Sequence, residues 1–444
     1  MAIRAGQILH AMNQFIVDRI QTGGAGNLNI PQDRVYELGN YQSVGIVRDV
    51  PDLSFTLDVL DVGTQVEALL TGAVRPDNDT DHPLGDGTTP GAVYSLADAI
   101  PADIISPFKT AQGQYSVVRG VAVPQLSLES VQYQYGLQAN AGENYTLRGD
   151  SIYYVPGVPF LAVYDGDGTT TTFQFQTADA TPVALKALLY TEQGQSQFAL
   201  NVSVDGKRQR RDVDFTDTET GVTFTSAPAN GSVIRITFGA NETATDTPIS
   251  VTYPQVVHSD LSVKPAAIRG RDIRVKVGGL NISHKWHDVQ SFEANWRVTL
   301  DNDYEFGDAH AVNRDYIDPP DVTGTIGLKA ITVQALFDKL YQITGVPTTD
   351  IIGPQSSVTV PIIVELLNPA SGGTSHVAQG AVLKTIFIPD ARFTIPGYEG
   401  RVSQKLTSDV TYTSDKGLIY IIKGAATLAQ LQGLPGSSNT VVPN

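Results

Sequence analysis

The residues best suited to chemistry lie in three short runs. His284-Lys285-Trp286-His287-Asp288 holds two imidazoles and a carboxylate. The surrounding pattern is β, and residues three apart on a strand point to opposite faces, so the run is read as a loop or strand end and not as a metal site. Asp77, Asp79 and Asp81 alternate as the first ligands of a calcium loop do, but His82 stands where such a loop needs glycine and Thr88 where it needs glutamate. They are read as a solvated acidic loop, with weak calcium binding as the alternative. Lys207-Arg208-Gln209-Arg210-Arg211 follows Asp205-Gly206 and reads as an exposed hairpin more simply than as a polyanion patch. There is no cysteine, so no thiolate ligand, Cys nucleophile or disulfide. G-x-S-x-G, a phosphate-cradling glycine loop and H-E-x-x-H are all missing from the sequence. No catalytic, cofactor-binding or metal-binding residue is assigned, and a non-enzymatic role is expected.

Composition narrows the class. The 444 residues exceed one ordinary core and imply several domains. A net charge of −16 argues against a grip on nucleic acid, which needs concentrated Lys and Arg. With 41 glycines, 17% charged residues and abundant Thr, Val and Tyr, the chain favours strands and turns over long helices. No apolar run reaches membrane-spanning length, and the first residues lack the apolar core of a signal peptide, so synthesis in the cytoplasm is expected.

The elements that must position any site are organised by a repeat. Tyr36-Glu37-Leu38-Gly39, Val44, Pro51-Asp52 and Val66-Glu67-Ala68-Leu69 recur as Tyr304-Glu305-Phe306-Gly307, Val312, Pro320-Asp321 and Val333-Gln334-Ala335-Leu336. The offset stays at about 265–269 residues and extends to Val121–Pro124 against Ile386–Pro389, which points to an internal duplication. In the first copy, 53–59 reads as a strand, Thr64-x-x-Glu67 as a capping box and 65–72 as a short helix. In the second, Phe292, Ala294, Trp296, Val298 and Leu300 alternate with polar residues as a long amphipathic strand, and 332–344 reads as a helix. Residues 5–22 carry apolar side chains at helical spacing and are read as a helix docked on its own domain, with an arm that docks on a neighbouring subunit as the alternative. The stretches 73–115 and 346–380 are read as long loops. Between the copies, short strands with Asp-Gly and Asn-Gly turns predict an inserted β-sandwich that projects from them. The expected organisation is a first unit at 1–156, the insert at 157–255 and a second unit at 256–444, mainly β throughout.

The run Trp296, Asp301, Tyr304 to Gly307 and Pro320 to Ile326, followed by a short helix, resembles the tail tube proteins of long-tailed bacteriophages and related viruses. The insert is similar to a small immunoglobulin-like sandwich that recurs in virion structural proteins. The resemblance covers about 1–156 and 256–424. It implies a β-sandwich or barrel unit with one flanking helix, stacked as rings into a hollow tube in the virion tail. Such a tube guides DNA without binding it specifically, encloses a tape-measure protein, and meets baseplate and tail-terminator proteins at its ends. Most of the family carry one unit and form hexamers. Two units per chain imply a trimeric ring with pseudo-sixfold symmetry, the hexamer being the alternative. Under this reading Tyr36, Glu37, Gly39, Pro51, Asp52, Trp296, Tyr304, Glu305, Gly307, Pro320 and Asp321 serve assembly. Asp77, Asp79 and Asp81 become candidates for contacts between stacked rings, and the insert decorates the outside. A baseplate or capsid component and a glycan-binding adhesin remain the rival classes.

Overall fold

The computed structural model describes residues 8–17, 19–29, 32–36, 43–48, 51–60, 63–71, 84–108, 120–136, 140–155, 157–176, 185–192, 194–240, 268, 272–281, 289–304, 310–329, 341, 359–368, 381–394 and 407–437. For 32–36, 43–48, 192, 280, 281, 329, 407 and 408 it describes the backbone alone. The fold is mainly β and antiparallel.

The first stretch contributes β1 (Ala11–Met12), β2 (Phe15–Ile16), β3 (Ile20–Ala25), β4 (Gln32–Tyr36), β5 (Ser43–Arg48), β6 (Leu53–Val59) and helix α1 (Gln65–Thr71). There follow β7 (Gly85–Asp86), β8 (Val93–Ser95), β9 (Ala102–Pro107), β10 (Gly120–Gly136), β11 (Gly142–Gly149) and β12 (Tyr153–Val155). The middle stretch holds β13 (Val158–Asp165), β14 (Thr172–Gln174), β15 (Tyr190–Glu192), β16 (Gln195–Gln197) and β17 (Ala199–Val204). It ends with β18 (Lys207–Arg208), β19 (Phe215–Thr218), β20 (Gly221–Phe224) and β21 (Val233–Ala240). The last stretch holds β22 (Ile273–Val277), β23 (Leu280–Asn281), β24 (Val289–Arg297), β25 (Leu300–Asp303), β26 (Asn313–Tyr316) and β27 (Asp321–Lys329). It closes with β28 (Val360–Leu367), β29 (Val382–Phe393), β30 (Thr407–Ser414), β31 (Tyr420–Ala425) and helix α2 (Leu428–Gln432).

The pairing order of the first stretch recurs in the last. β3 pairs β6, β6 pairs β11, and β11 pairs β10. Likewise β24 pairs β27, β27 pairs β30, and β30 pairs β29. β10 also pairs β9 and β12, as β29 pairs β28 and β31. The β1–β2 hairpin sits on β9 as β22–β23 sits on β28, and the β4–β5 hairpin has its counterpart in β25–β26. Each long strand breaks register at the same place. β10 slips against β9 around Pro124-Gln125, and β28 slips against β29 around Pro389-Asp390. Proline cannot donate to a ladder, so a bulge there lets one strand pass from one sheet to the next. Apolar side chains from both stretches, among them Leu57, Val131, Trp296, Ile326 and Tyr412, form one continuous core.

Three sequence expectations change. Residues 5–22 are not a helix where described, because Asn13 and Gln14 take φ of 48° and 77° and turn the chain into the β1–β2 hairpin. Met12 and Phe15, which suit a helical face, instead sit opposite each other across a two-residue turn. Gly278 and Gly279, with φ of 57° and 82°, make the matching turn between β22 and β23. The long loops at 73–115 and 346–380 are also too generous, since β7, β8 and β9 fall in the first and the wholly buried β28 in the second. Finally, the insert does not stand apart. β13, β21, β17 and β18 form one sheet, and β14, β20 and β19 another. Their core of Phe160, Phe175, Ile236 and Phe238 runs on into Ala11, Ile105, Ala122, Tyr153 and Val155.

Candidate assembly interface

The contact that joins the two copies runs along β10 and β24. Ser130 to Gly136 pairs residue by residue with Arg297 to Ser291. Alternation puts Val131 opposite Trp296, Tyr133 opposite Ala294 and Tyr135 opposite Phe292 on the core face. The Tyr135 and Phe292 rings stack with centroids 6.1 Å apart, and Phe292 stacks in turn on Tyr412 at 6.3 Å. On the other face Gln132 Nε2 and Asn295 Nδ2 both donate to Glu293 Oε1, at 2.9 and 3.0 Å. This contact is head to tail, since β10 of the first stretch meets β24 of the last and neither meets its own counterpart. β3 is the counterpart of β24, yet among the described residues it pairs with β6 alone. Gln21 and Thr22 on it are exposed. Followed from β10 through β11 and β6, the pairings among the described residues end at β3.

Other elements lock this arrangement from within. Lys384 on β29 reaches into the first copy and is wholly buried. Its ammonium donates to both Glu143 oxygens, at 2.8 and 2.9 Å, and to Glu67 Oε1. Tyr133 donates to Glu67 Oε1 at 2.9 Å, and the Tyr145 hydroxyl oxygen lies 2.9 Å from the same atom. Tyr135 and Tyr145 donate to Glu143 at 3.0 and 2.7 Å. Glu67 thus faces the core and serves this cluster. Burial raises the Glu143 pKa to about 7 against the pull of Lys384. For Lys384, burial works to lower the pKa, but the Glu143 and Glu67 carboxylates outweigh it and hold the ammonium above its ordinary value.

A second junction gathers all three stretches at Asp150, which is 1% exposed. Arg314 Nη2 lies 3.0 Å from Asp150 Oδ2, and the Ala311 N–H donates to the same oxygen at 2.9 Å. His310 Nδ1 at 3.6 Å and Arg208 Nη1 of the insert at 3.7 Å approach Asp150 Oδ1. Burial alone would raise the Asp150 pKa; His310, Arg314 and Arg208 together hold it well below the usual carboxylate range. Arg208 is therefore docked, and the reading of 207–211 as a freely exposed hairpin gives way. Arg211 likewise pairs with Asp217, and Arg210 with Asp214 at 3.4 Å. A further clamp sets Arg235 of β21 against the Pro101 carbonyl and 4.0 Å from the buried Asp103.

The sequence-predicted assembly residues are scattered by the structure. Trp296 is 1% exposed at the heart of β24, and its ring meets Tyr316 edge-on. Pro51 and Asp52 lead into β6; Asp52 exchanges backbone hydrogen bonds with Asn29 and forms a forked pair with Arg148 at 2.7 and 2.9 Å. Pro320 and Asp321 lead into β27 in the same way, with Asp321 opposite Arg297. Tyr304 is 46% exposed and accepts a hydrogen bond from Asn302 at 2.7 Å. Tyr36 ends β4, described by its backbone only. Glu37, Gly39, Glu305, Gly307, Asp77, Asp79 and Asp81 lie outside the described residues, as do His284 to Asp288 and nearly all of 332–344. Among the described residues no group of three or more His, Asp or Glu is placed to hold a metal ion, and no helix is long and apolar enough to cross a membrane.

No family model and no curated protein matches the chain. A solved structure does: the tube-terminating cap of an anti-feeding prophage, at 14% identity over 41% of this chain and 99% of that one, with a TM-score of 0.24. A likeness that slight carries no argument, and the reading below rests on this chain's own contacts.

Sequence reasoning missed Lys384, Glu143 and Asp150. A signal existed for the first, a single lysine inside Val382-Leu383-Lys384-Thr385-Ile386-Phe387, because an ammonium in an apolar strand must find buried partners. Asp150 gave none, since its charged partners lie far away in the sequence.

Proposed function

We propose that this chain is a structural virion protein whose two tandem units each supply one segment of a ring, and that stacked rings form a hollow tail tube. Three chains then make a pseudo-sixfold ring, a tape-measure protein occupies the bore, and DNA passes without being bound specifically. The role is assembly, not catalysis. The observation that carries this reading is the head-to-tail β10–β24 contact, with β3 paired to β6 alone among the described residues. A heterologous contact never satisfies both of its faces within one copy, so repetition builds a closed ring or an open filament. An edge strand in a monomer would be a liability; in a ring it is a joint. The net charge of −16 suits a conduit that must release a polyanion.

The test blocks that joint. The Gly26 N–H donates to Ser54 on β6, so alternation turns the Ala25 N–H away from β6. Ala25→Pro removes that outward donor. Negative-stain microscopy and analytical ultracentrifugation of the wild type are expected to show rings or hollow rods, with the variant folded but monomeric. A wild type that stays monomeric at high concentration, or a variant that assembles unchanged, counts against the reading. Flat rings that never stack would instead favour a baseplate or capsid component.

A further inference from the structure

The internal repeat offers a second joint at β12. In the second unit, β31 is sandwiched. On one side it pairs β29, with Ile421 opposite Ile386. On the other it receives β8 from the first unit, with Tyr94 opposite Ile421 and Val93 opposite Ile422. The same arm adds Gly85–Asp86 beside Gly424–Ala425, and the Lys423 N–H donates to the Ala92 carbonyl at 2.9 Å. Under this cover Ile421 and Ile422 are 0% and 1% exposed.

β12 holds the matching place in the first unit. Tyr153, Tyr154 and Val155 pair with Ala122, Val121 and Gly120 of β10, as Tyr420, Ile421 and Ile422 pair with Phe387, Ile386 and Thr385 of β29. The lower face is occupied, since Tyr153 and Val155 pack into the core of the insert. On the upper face Ile152 and Val121 pack on the main core, and the face opens at Tyr154. Tyr154, the counterpart of Ile421, is 71% exposed, and among the described residues β12 has no second pairing strand. The arm that covers β31 comes from the unit seated on β24, and in the tube reading the unit seated on β3 belongs to a neighbouring copy.

We infer that the outer edge of β12 and the Tyr154 face receive a strand from the second unit of a neighbouring copy of this chain, donated as β8 is donated to β31. The inference rests on the tube reading and deepens it by naming the contact. Directions agree: within one chain the first unit passes both β10 and β8 to the second, so the neighbour that seats on β3 also covers β12. Strand addition supplies backbone hydrogen bonds without demanding a particular side-chain sequence. Each ring joint then has two strands, one in each sheet, which resists hinging about either one.

A photo-reactive benzoylphenylalanine replacing Tyr154 tests this in the full chain. Equal parts of isotope-labelled and unlabelled protein are assembled, irradiated and digested. The expected product is a mixed-isotope cross-link between residue 154 and a peptide C-terminal to residue 256. Rings that form normally but yield a cross-link within one chain, to another copy's insert or first unit, or none at all, overturn this inference and leave the tube reading standing. Failure to form any oligomer, with Tyr154 left free in solution, sinks both. As a second measurement, Tyr154→Lys is expected to leave the monomer's melting temperature unchanged and to raise the concentration needed for assembly at least tenfold. Unchanged assembly also overturns the inference.

Discussion

The two units share an order of strand pairing and differ in what fills them. In the first, Leu147 on β11 faces Phe55 on β6, two side chains of ordinary core size. At the matching place in the second, Tyr412 on β30 faces Gly324 on β27. The glycine leaves room for the tyrosine to cross the strand, and its hydroxyl donates to the Glu293 carbonyl on β24 at 2.9 Å. One large–small pairing thus stands where two mid-sized side chains meet in the first unit, and it adds a tie to the next strand. The polar interiors diverge further. Glu143 and Tyr145 of the first unit correspond to Ser408 and Val410 of the second, so that carboxylate and that phenol have no twin at the matching places. The second unit supplies the missing cation, Lys384, to the first. The order of pairing is shared, and the side chains that tie the two stretches together are not.

The sharpest way to break this comparison is to remove the cation. Lys384→Met leaves two carboxylates buried without an opposing charge and is expected to destabilise the chain by about 3–5 kcal/mol. Adding Glu67→Gln and Glu143→Gln should restore most of that, because the interior would then be neutral and still hydrogen-bonded. Denaturant unfolding of the single and triple variants measures both. A single variant as stable as wild type would show that the cluster does not bind the units to each other.

The second expected effect is at the large–small pairing itself. A Cβ on Gly324 would meet both the Glu293 carbonyl and the Tyr412 ring. Gly324→Ala is therefore expected to cost about 1–3 kcal/mol. Tyr412→Leu should relieve part of that strain, since only one of the two obstructions leaves. A double-mutant cycle is expected to show coupling of about 0.5–3 kcal/mol. Additive effects would mean that the two positions did not change in concert.

Much of this was legible in the sequence and some was not. The punctuation around Pro51-Asp52 and Pro320-Asp321 and the alternation from Phe292 to Leu300 were enough for the strands, because period-two patterning survives wherever one face is buried. The Met12–Phe15 spacing misled, since it fits both a helix and a two-residue hairpin, and only the positive φ of Asn13 and Gln14 separates them. Glu67 misled in the same way. Its place three residues after Thr64 suggests a cap, but helix α1 turns it inward, where tyrosines more than sixty residues away along the chain claim it. The docking of the insert could not be read at all. Asp103 with Arg235 and Asp150 with Arg208 are pairs that only the folded chain assembles.

Acidity separates two buried carboxylates of the first unit more gently. Glu143 carries a pKa raised from 4.5 to about 7, chiefly by burial. A raised carboxylate binds its proton more readily folded than unfolded, so its contribution is fully present below about 4.5 and is lost as pH rises through about 7. Asp150 runs the other way. Its depressed pKa contributes stability above the ordinary carboxylate value, and that is lost as pH falls below it. The melting temperature of wild type relative to Glu143→Gln should therefore decline between about pH 5 and 7.5. A flat difference across that window would remove Glu143 from the account.

The smallest effect is expected where the repeat motif is most visible. Asp52 recurs as Asp321, which invites a shared structural duty, but the partner differs. Arg148 faces Ser54, two residues beyond Asp52, whereas the matching position on β30 holds Thr413 opposite Thr323. The Arg148 and Asp52 side chains are 36% and 42% exposed, so water screens their forked pair. Asp52→Asn is then expected to cost no more than about 1 kcal/mol. Its backbone bonds to Asn29 survive the change, and those are what hold the entry to β6. If instead the loss exceeded about 2 kcal/mol in a melting experiment, the side chain rather than the backbone would explain why aspartate stands at both positions.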